Sequence, residues 1–344
     1  MQRVTMNTTE KTLNGKVIYS PKGAAKEYGR VGCNFYTGCP HDCQYCYLKR
    51  GLLSHSMGTT KVALKKCFQN ECHALEVFYK ELLRDLEYLK QTGIFFSFST
   101  DPLIEQTRTL TLIAAKFAVQ QGVPVKILTK AADYREWITI LGHLSKEHRR
   151  MIAFGFTLTG CDDMEPGAPS NAKRIRAMEE LHFCGFRTFA SIEPVVNPSM
   201  SLEMIQATTE FCDLYLIGLR SGVKSTYYVP QELIELYCVV QAMHIPNRNN
   251  FKVYWKESFR KYFEKHGLRI DSERHFVDAD YNLFAQPEES IIKATAGDWL
   301  NTADAFSTIA QAASINPDIV DNIHNISKQI FEASCVDAKN KQDL

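Results

Sequence analysis

Three cysteines fall within eight residues, in Cys39-Pro40-His41-Asp42-Cys43-Gln44-Tyr45-Cys46-Tyr47, with three residues between the first two and two between the second and third. A single loop of that kind can bring three thiolates onto one inorganic cluster. Iron–sulfur centres that only shuttle electrons, and structural zinc sites, normally fill four positions with protein ligands. Three cysteines on a four-iron cluster leave one iron open to something else. Two further readings of the same residues exist. Zinc could take His41 or Cys33 as a fourth ligand, although such sites usually combine two separated cysteine pairs. A disulfide with an odd thiol left over would suit a secreted chain, whereas the polar stretch Met1 to Glu10 is not signal-like and 11 cysteines in 344 residues read as reduced thiols.

A second set of reactive side chains follows apolar runs: Ser99-Thr100-Asp101, Thr129-Lys130, Thr157 to Cys161, Glu193-Pro194, Arg220-Ser221 and Lys256-Glu257. The elements that must position them alternate. A first strand, Val31 to Tyr36, delivers the cysteine loop, and an irregular stretch to Lys66 forms a flap over it. One long helix runs from Glu71 to Gly93, and the strand Ile94 to Ser99 follows. Helices near Leu110–Gln121, Glu136–Ser145, Ala172–Cys184 and Leu202–Phe211 then alternate with strands Val123–Leu128, Met151–Leu158, Phe186–Ile192 and Leu214–Leu219. Short connections between strands and amphipathic helices demand parallel pairing with helices outside. No glycine-rich dinucleotide turn follows any strand, so the expected fold is α/β, a partial (β/α)6 TIM-like barrel rather than a doubly wound sheet. Residues 1–30 are expected to form a short N-terminal arm with one strand, lying on the surface or else touching substrate, 31–266 the barrel, and 267–344 an α-rich C-terminal extension.

In such barrels chemistry collects at the C-terminal ends of the strands. The bland alternatives are a turn at Thr100-Asp101-Pro102 and at Glu193-Pro194, and a solvated charge at Lys130. Lone histidines such as His143 and His182 read as structural, and Met178 and Met204 as core filler. Forty basic and 39 acidic side chains give a formal charge of +1, so no global field draws the chain to nucleic acid or to an anionic membrane. No apolar run reaches the roughly 18 to 20 residues that span a bilayer. The expected location is the cytoplasm.

The cysteine loop, with Tyr45 directly before the third cysteine, resembles the signature of the radical S-adenosylmethionine (SAM) superfamily. Asn34 to Cys39, Ser99-Thr100-Asp101-Pro102, Ile127 to Lys130, and Glu165-Pro166-Gly167-Ala168-Pro169 leading to Arg174 are similar to its spore photoproduct lyase-like branch. The resemblance implies a [4Fe–4S] cluster on Cys39, Cys43 and Cys46, with SAM chelating the open iron. It also implies reductive cleavage of SAM to a 5′-deoxyadenosyl radical, and a flavodoxin- or ferredoxin-type electron donor. Tyr45 and Tyr47 would pack near the cluster or the adenine, and Thr100 and Lys130 match positions that contact SAM. By chemistry and position, Lys130 suits the methionine carboxylate, Thr100 or Asp101 the ammonium or ribose, and Thr157 a ribose hydroxyl. Glu193 joins them as a cofactor contact. The lyases return hydrogen to their product from a cysteine two residues before the position of Thr100. Here that residue is Phe98, which points to another substrate: a nucleic acid, a peptide or a small molecule.

Overall fold

The computed structural model describes residues 11–50, 54–224, 226–243, 251–270 and 276–285. The chain forms two compact units, residues 1–221 with 252–285, and residues 222–251 with 286–344. The larger unit is built on an eight-stranded sheet. Strand β1 (Ile18–Tyr19) runs antiparallel to β2 (Gly32–Cys33). Then come β3 (Ile94–Phe96), β4 (Val125–Thr129), β5 (Ile152–Thr157), β6 (Arg187–Val195), β7 (Leu214–Leu219) and β8 (Lys252–Trp255), each parallel to the strand before it.

This spatial order is the order of the chain. Right-handed crossovers that always step in one direction put their helices on one face, so the other face is enclosed by curling rather than by a second helical layer. The edges β1 and β8 do not pair with one another, and the barrel is partial. Among the described residues the helices of eight or more residues are α1 (Glu71–Arg84), α2 (Arg108–Gln120), α3 (Tyr134–Leu141), α4 (Asn171–Phe183), α5 (Pro198–Gln206), α6 (Pro230–Ala242) and α7 (Glu257–Lys265). Of these, α6 belongs to the smaller unit. A buried cluster of Phe95, Ala153, Phe189, Leu214, Leu216, Tyr254 and Leu283 supplies apolar packing in the larger unit. Each large side chain in it contributes about 1.5–3 kcal/mol through burial.

Several expected elements differ in extent. The first strand divides into Gly32–Cys33 and Tyr36–Thr37, and the second piece pairs with Ala63–Leu64 in a separate ribbon. Asn34 sits at the break. Its amide donates to the Tyr19 hydroxyl at 2.7 Å, and its carbonyl oxygen accepts from the Phe98 N–H at 2.9 Å. The single helix from Glu71 ends at Arg84, and a second runs from Leu86 to Thr92. The break is Asp85, a buried carboxylate paired with Lys11 and Arg84, both at 2.7 Å. The helix expected at Leu202–Phe211 begins four residues earlier, because the Asn197 side chain caps it and Pro198 occupies its first position. Lys252–Trp255, within the later strand expected at Phe251 to Lys256, joins the six parallel strands as a seventh. The proposed α-rich extension lies, from residue 286 on, outside the described residues.

The largest departure is the arm. Instead of lying on the surface, Tyr28 packs against Phe95, ring centroids 5.3 Å apart, and bonds Ser191 on β6 at 2.7 Å. Glu27 accepts from the Tyr254 hydroxyl at 2.8 Å and the Glu257 N–H at 2.7 Å. The arm therefore links β3 to β6 and β8 across the open side of the barrel.

Candidate active site

A cavity of about 490 Å³ opens at the C-terminal ends of the parallel strands. Cys39, Cys43, Cys46, Tyr45, Tyr47, Thr100, Asp101, Lys130, Thr157 and Glu193 all line it, although they come from the loop after β2 and from the ends of β3, β4, β5 and β6. The apolar strands end in the floor, and the polar residues that follow them form the wall.

The cysteine loop is held mainly through its backbone. Cys39 N–H donates to Thr59 O at 2.8 Å, Gln44 N–H to Met164 O at 2.9 Å, and His41 O accepts from Gly167 N–H at 3.0 Å. Gly167 packs so closely that a Cβ there would stand 2.2 Å from the Pro40 carbonyl. Only glycine admits that approach. The Thr100 hydroxyl donates to Gly38 O at 2.5 Å, so its proton is committed to the loop.

Asp101 is the hub of this scaffold. One carboxylate oxygen accepts from Leu103 N–H at 2.9 Å and the Thr129 hydroxyl at 2.6 Å; the other accepts from Lys130 N–H at 2.7 Å and His41 Nε2 at 2.8 Å. Burial raises its pKa, but His41 and these donors outweigh burial and hold it down at about 2. With four donors in place, Asp101 has no acceptor position left for a ligand, and its role moves from ligand contact to loop anchor. His41 Nδ1 faces Gly167 O at 3.1 Å. Both ring nitrogens thus face protein oxygens, and the ring is held between the Asp101 carboxylate and the Gly167 carbonyl.

A second chain ties Tyr45 to β5. The Tyr45 hydroxyl donates to Glu165, and Glu165 pairs with Arg174, whose guanidinium is fully buried. Arg174 also donates to Thr157 O at 2.6 Å and Pro169 O at 2.9 Å. The sequence marks Glu165 and Arg174 only as parts of a motif; their joint role as a buried brace between loop and strand comes from the fold. The Lys130 ammonium stands over the Tyr45 ring, 5.5 Å from its centroid. Burial pulls Lys130 down, but Cys43 and Glu165 carry it above the ordinary lysine value, so it remains a cation. Among the described residues no carboxylate pairs with it.

On the facing wall the sequence marks Glu193 and Lys256 as strand-end residues, but neither their pairing nor the part played by Tyr28 and Glu27. A register shift on β6 between Ile192 and Val195 sets Glu193 toward the cavity. The fully buried Lys256 reaches Glu193 at 2.5 Å and Glu27 at 3.5 Å, with its ammonium 4.0 Å from the Tyr28 ring centroid. The Tyr28 hydroxyl donates to the same Glu193 oxygen. Burial, and then Glu193, raise the Tyr28 phenol well above its usual range, so it stays protonated.

The polar groups on this wall fall into two sets. Thr100, Asp101, Tyr45 and Tyr47, the last donating to Phe98 O at 2.5 Å, spend their hydrogen bonds on the protein. The Lys130 ammonium, the Thr157 hydroxyl and the second Glu193 oxygen have no hydrogen-bond partner among the described residues, and all three residues line the cavity.

The donor set fits an iron–sulfur cluster. All ten cysteines among the described residues are free thiols, and Cys39, Cys43 and Cys46 share one cavity wall. Burial pushes the Cys39 thiol up to about 12 and also raises Cys43, while Lys130 acts in the opposite direction on both. Neither proposed fourth zinc ligand is open to them: Cys33 is buried in β2 outside the cavity, and His41, although it lines the cavity, has both ring nitrogens engaged by Asp101 and Gly167. Among the described residues no three His, Cys, Asp or Glu side chains are gathered as the ligands of a single ion. Phe98 lines the cavity and stacks on Phe95, centroids 4.6 Å apart, whereas Cys161 lies outside the lining.

An uncharacterised protein of Methanocaldococcus jannaschii is 26% identical over 237 residues, which cover 65% of this chain and 82% of that one. Among solved structures, a spore photoproduct lyase complexed with dinucleoside spore photoproduct aligns with a TM-score of 0.45 at 16% identity, over 58% of each chain. SuiB of Streptococcus suis bound to S-adenosylmethionine aligns with a TM-score of 0.43 at 16% identity, over 65% of this chain and 49% of that one. The chain thus spans about half to three fifths of these two structures. A model of the radical SAM superfamily matches residues 33–212, more than half of the 344 residues and the whole stretch from the cysteine loop to the strand that carries Glu193. The chain belongs to the radical SAM superfamily and is an enzyme of that class.

Proposed function

We propose that Cys39, Cys43 and Cys46 hold one [4Fe–4S] cluster and that the cavity beside them binds S-adenosylmethionine and a substrate. The observation that supports this reading is the set of three thiols and three unpaired polar groups around one cavity of about 490 Å³, within the 300–1,000 Å³ usual for small-molecule sites. When bound, the cluster and SAM supply reductive cleavage of SAM and a 5′-deoxyadenosyl radical that abstracts hydrogen from the substrate. Lys130 binds the methionine carboxylate as a point charge that the protein has left uncompensated. The Thr157 hydroxyl and the free Glu193 oxygen bind ribose hydroxyls, the first as donor or acceptor and the second as acceptor. Tyr45 and Tyr47, their hydroxyls tied down, present ring faces to the cluster side of the cavity. Asp101 and Thr100 act one step removed, by fixing the loop and the Lys130 backbone. Phe95, Phe98 and Leu128 line the remainder and keep water from the reacting atoms.

The reductant is a flavodoxin- or ferredoxin-type protein in the cytoplasm. No described helix is long and apolar enough to cross a membrane. Anaerobic reconstitution tests the ligand set. Cys39→Ala, Cys43→Ala and Cys46→Ala each lose the cluster absorption and the iron, Cys33→Ala keeps both, and the reduced wild type converts SAM to 5′-deoxyadenosine and methionine. A cluster retained by the triple variant, or lost from Cys33→Ala, would overturn the assignment.

A further inference from the structure

The near-neutral total charge conceals a strong asymmetry. Residues 11–66 hold ten of the 40 basic side chains and only two of the 39 acidic ones, Glu27 and Asp42. Both acids are spent: Asp42 pairs with Lys49 at 2.5 Å, and Glu27 faces the buried Lys256 and the start of α7. The remainder of the chain is correspondingly acidic. This basic segment is also the one that carries the cysteine loop.

Six of its lysines lie outside the cavity lining; Lys11 pairs with Asp85 and Lys26 sits in the turn before Tyr28, which leaves Lys16, Lys61, Lys65 and Lys66. Lys16, Lys61 and Lys66 are exposed and have no acidic partner among the described residues. Lys65 joins the arm to the ribbon by donating to Lys16 O, and its N–H donates to Phe35 O at 2.9 Å. The segment bearing Lys61 packs directly on the cysteine loop. Thr59 O accepts from Cys39 N–H, and a Cβ on Gly38 would stand 2.1 Å from Lys61 O. A surface at Lys61 is therefore separated from a cluster ligand by little more than a hydrogen-bonded backbone contact.

From this geometry we infer that Lys16, Lys61, Lys65 and Lys66 form the docking surface for an acidic one-electron donor protein. The inference rests on the cluster assignment above and adds where the electron enters. The cavity side of the loop is taken up by SAM and substrate, so a protein donor must approach from outside the cavity, over a short gap to the cluster. The local positive field attracts an acidic partner, and the acidic remainder of the chain turns it toward this face. In the transfer the donor's reduced flavin gives up one electron and the cluster gains it, with no bond made or broken. A nucleic acid is the competing polyanion, but a substrate must reach the cavity, and these four residues do not line it.

The test measures bleaching of the cluster absorption in reconstituted holoenzyme, a readout that does not require SAM cleavage. The reductants are a reduced flavodoxin, which is small and acidic, and photoreduced deazariboflavin, which is small and neutral. The variant K16E/K61E/K66E spares Lys65, whose contact with Lys16 O is structural. The expected result is a second-order rate with flavodoxin at least about tenfold slower in the variant at low salt. The wild-type rate falls steeply as salt is raised, while the deazariboflavin rate and iron content stay unchanged. An unaltered flavodoxin rate, or an equal loss with both reductants, overturns the inference. So does loss of single-stranded oligonucleotide binding with flavodoxin reduction intact, which would give the surface to a nucleic acid. A cluster that assembles and accepts electrons by this route but does not cleave SAM would instead overturn the proposed function and leave the docking surface standing.

Discussion

Lys130→Met is the most direct probe of the cavity, because it removes one charge and little volume. The structure separates the two roles this residue could have. Its backbone N–H donates to Asp101, and methionine keeps that bond; the ammonium touches only the Tyr45 ring among the described residues. The loop scaffold should therefore survive. A charge-assisted contact with a carboxylate is worth about 1.5–3 kcal/mol, and the cation–π contact given up in the free protein offsets at most about 1 kcal/mol of side-chain stability. The affinity for SAM should thus fall roughly ten- to a hundredfold. The assay is equilibrium dialysis of SAM against anaerobic, oxidised holoenzyme, with 5′-deoxyadenosine, which has no carboxylate, as the control ligand. SAM binding should weaken while 5′-deoxyadenosine binding and cluster content stay constant. Unchanged SAM affinity would remove Lys130 from the site, and an equal loss for both ligands would show that the substitution had disturbed the loop rather than a contact.

The Glu165–Arg174 brace should behave as a coupled pair: Arg174→Met, which strands a buried carboxylate, should cost about 3–5 kcal/mol in urea denaturation, and E165M/R174M should recover most of it. Additive single losses would contradict the pairing. Lys126, half-buried on β4, is pulled by burial from 10.5 down to about 8. A lowered lysine pKa costs stability below pH 8, where the folded chain must hold the charge, and the cost fades as pH rises toward 10.5, where the unfolded chain also loses its proton. Lys126→Met should therefore raise the unfolding free energy at pH 7 by ~2 kcal/mol after discounting for partial exposure, and by half of that or less near about pH 9.5. A gain independent of pH would point to packing instead. Finally, Phe98 has no transferable hydrogen of the thiol kind, and Cys161 lies outside the cavity lining. An oligonucleotide carrying spore photoproduct, incubated with reductant and SAM, should remain unrepaired; recovery of thymines well above the background of SAM cleavage would refute this.

Much of this enzyme is legible in its sequence because the decisive features are local. Cys39, Cys43 and Cys46 come from one loop, and no distant contact is needed to read a three-thiolate site from their spacing. The alternation from Ile94 to Leu219 is likewise a matter of residue periodicity and short connections, and the absence of a glycine-rich turn after any of its strands speaks against a dinucleotide fold. What the sequence could not supply was the allocation of hydrogen bonds. Thr100, Asp101, Lys130 and Thr157 are polar residues at equivalent strand ends, and composition does not distinguish a ligand contact from a brace. The tertiary structure does so by counting donors: Asp101 is saturated by four groups from three segments, whereas Lys130, at the next strand end, keeps its ammonium. The meeting of Tyr28 and Glu27 with Lys256 was equally invisible, since these residues are far apart in the chain, and the Tyr254 hydroxyl donates to Glu27 Oε1 across 227 residues. The place of the N-terminal arm was likewise a tertiary matter: Tyr28 meets Phe95 and Ser191, and Glu27 meets Tyr254, partners on β3, β6 and β8 that come within reach of one short segment only once the strands have curled.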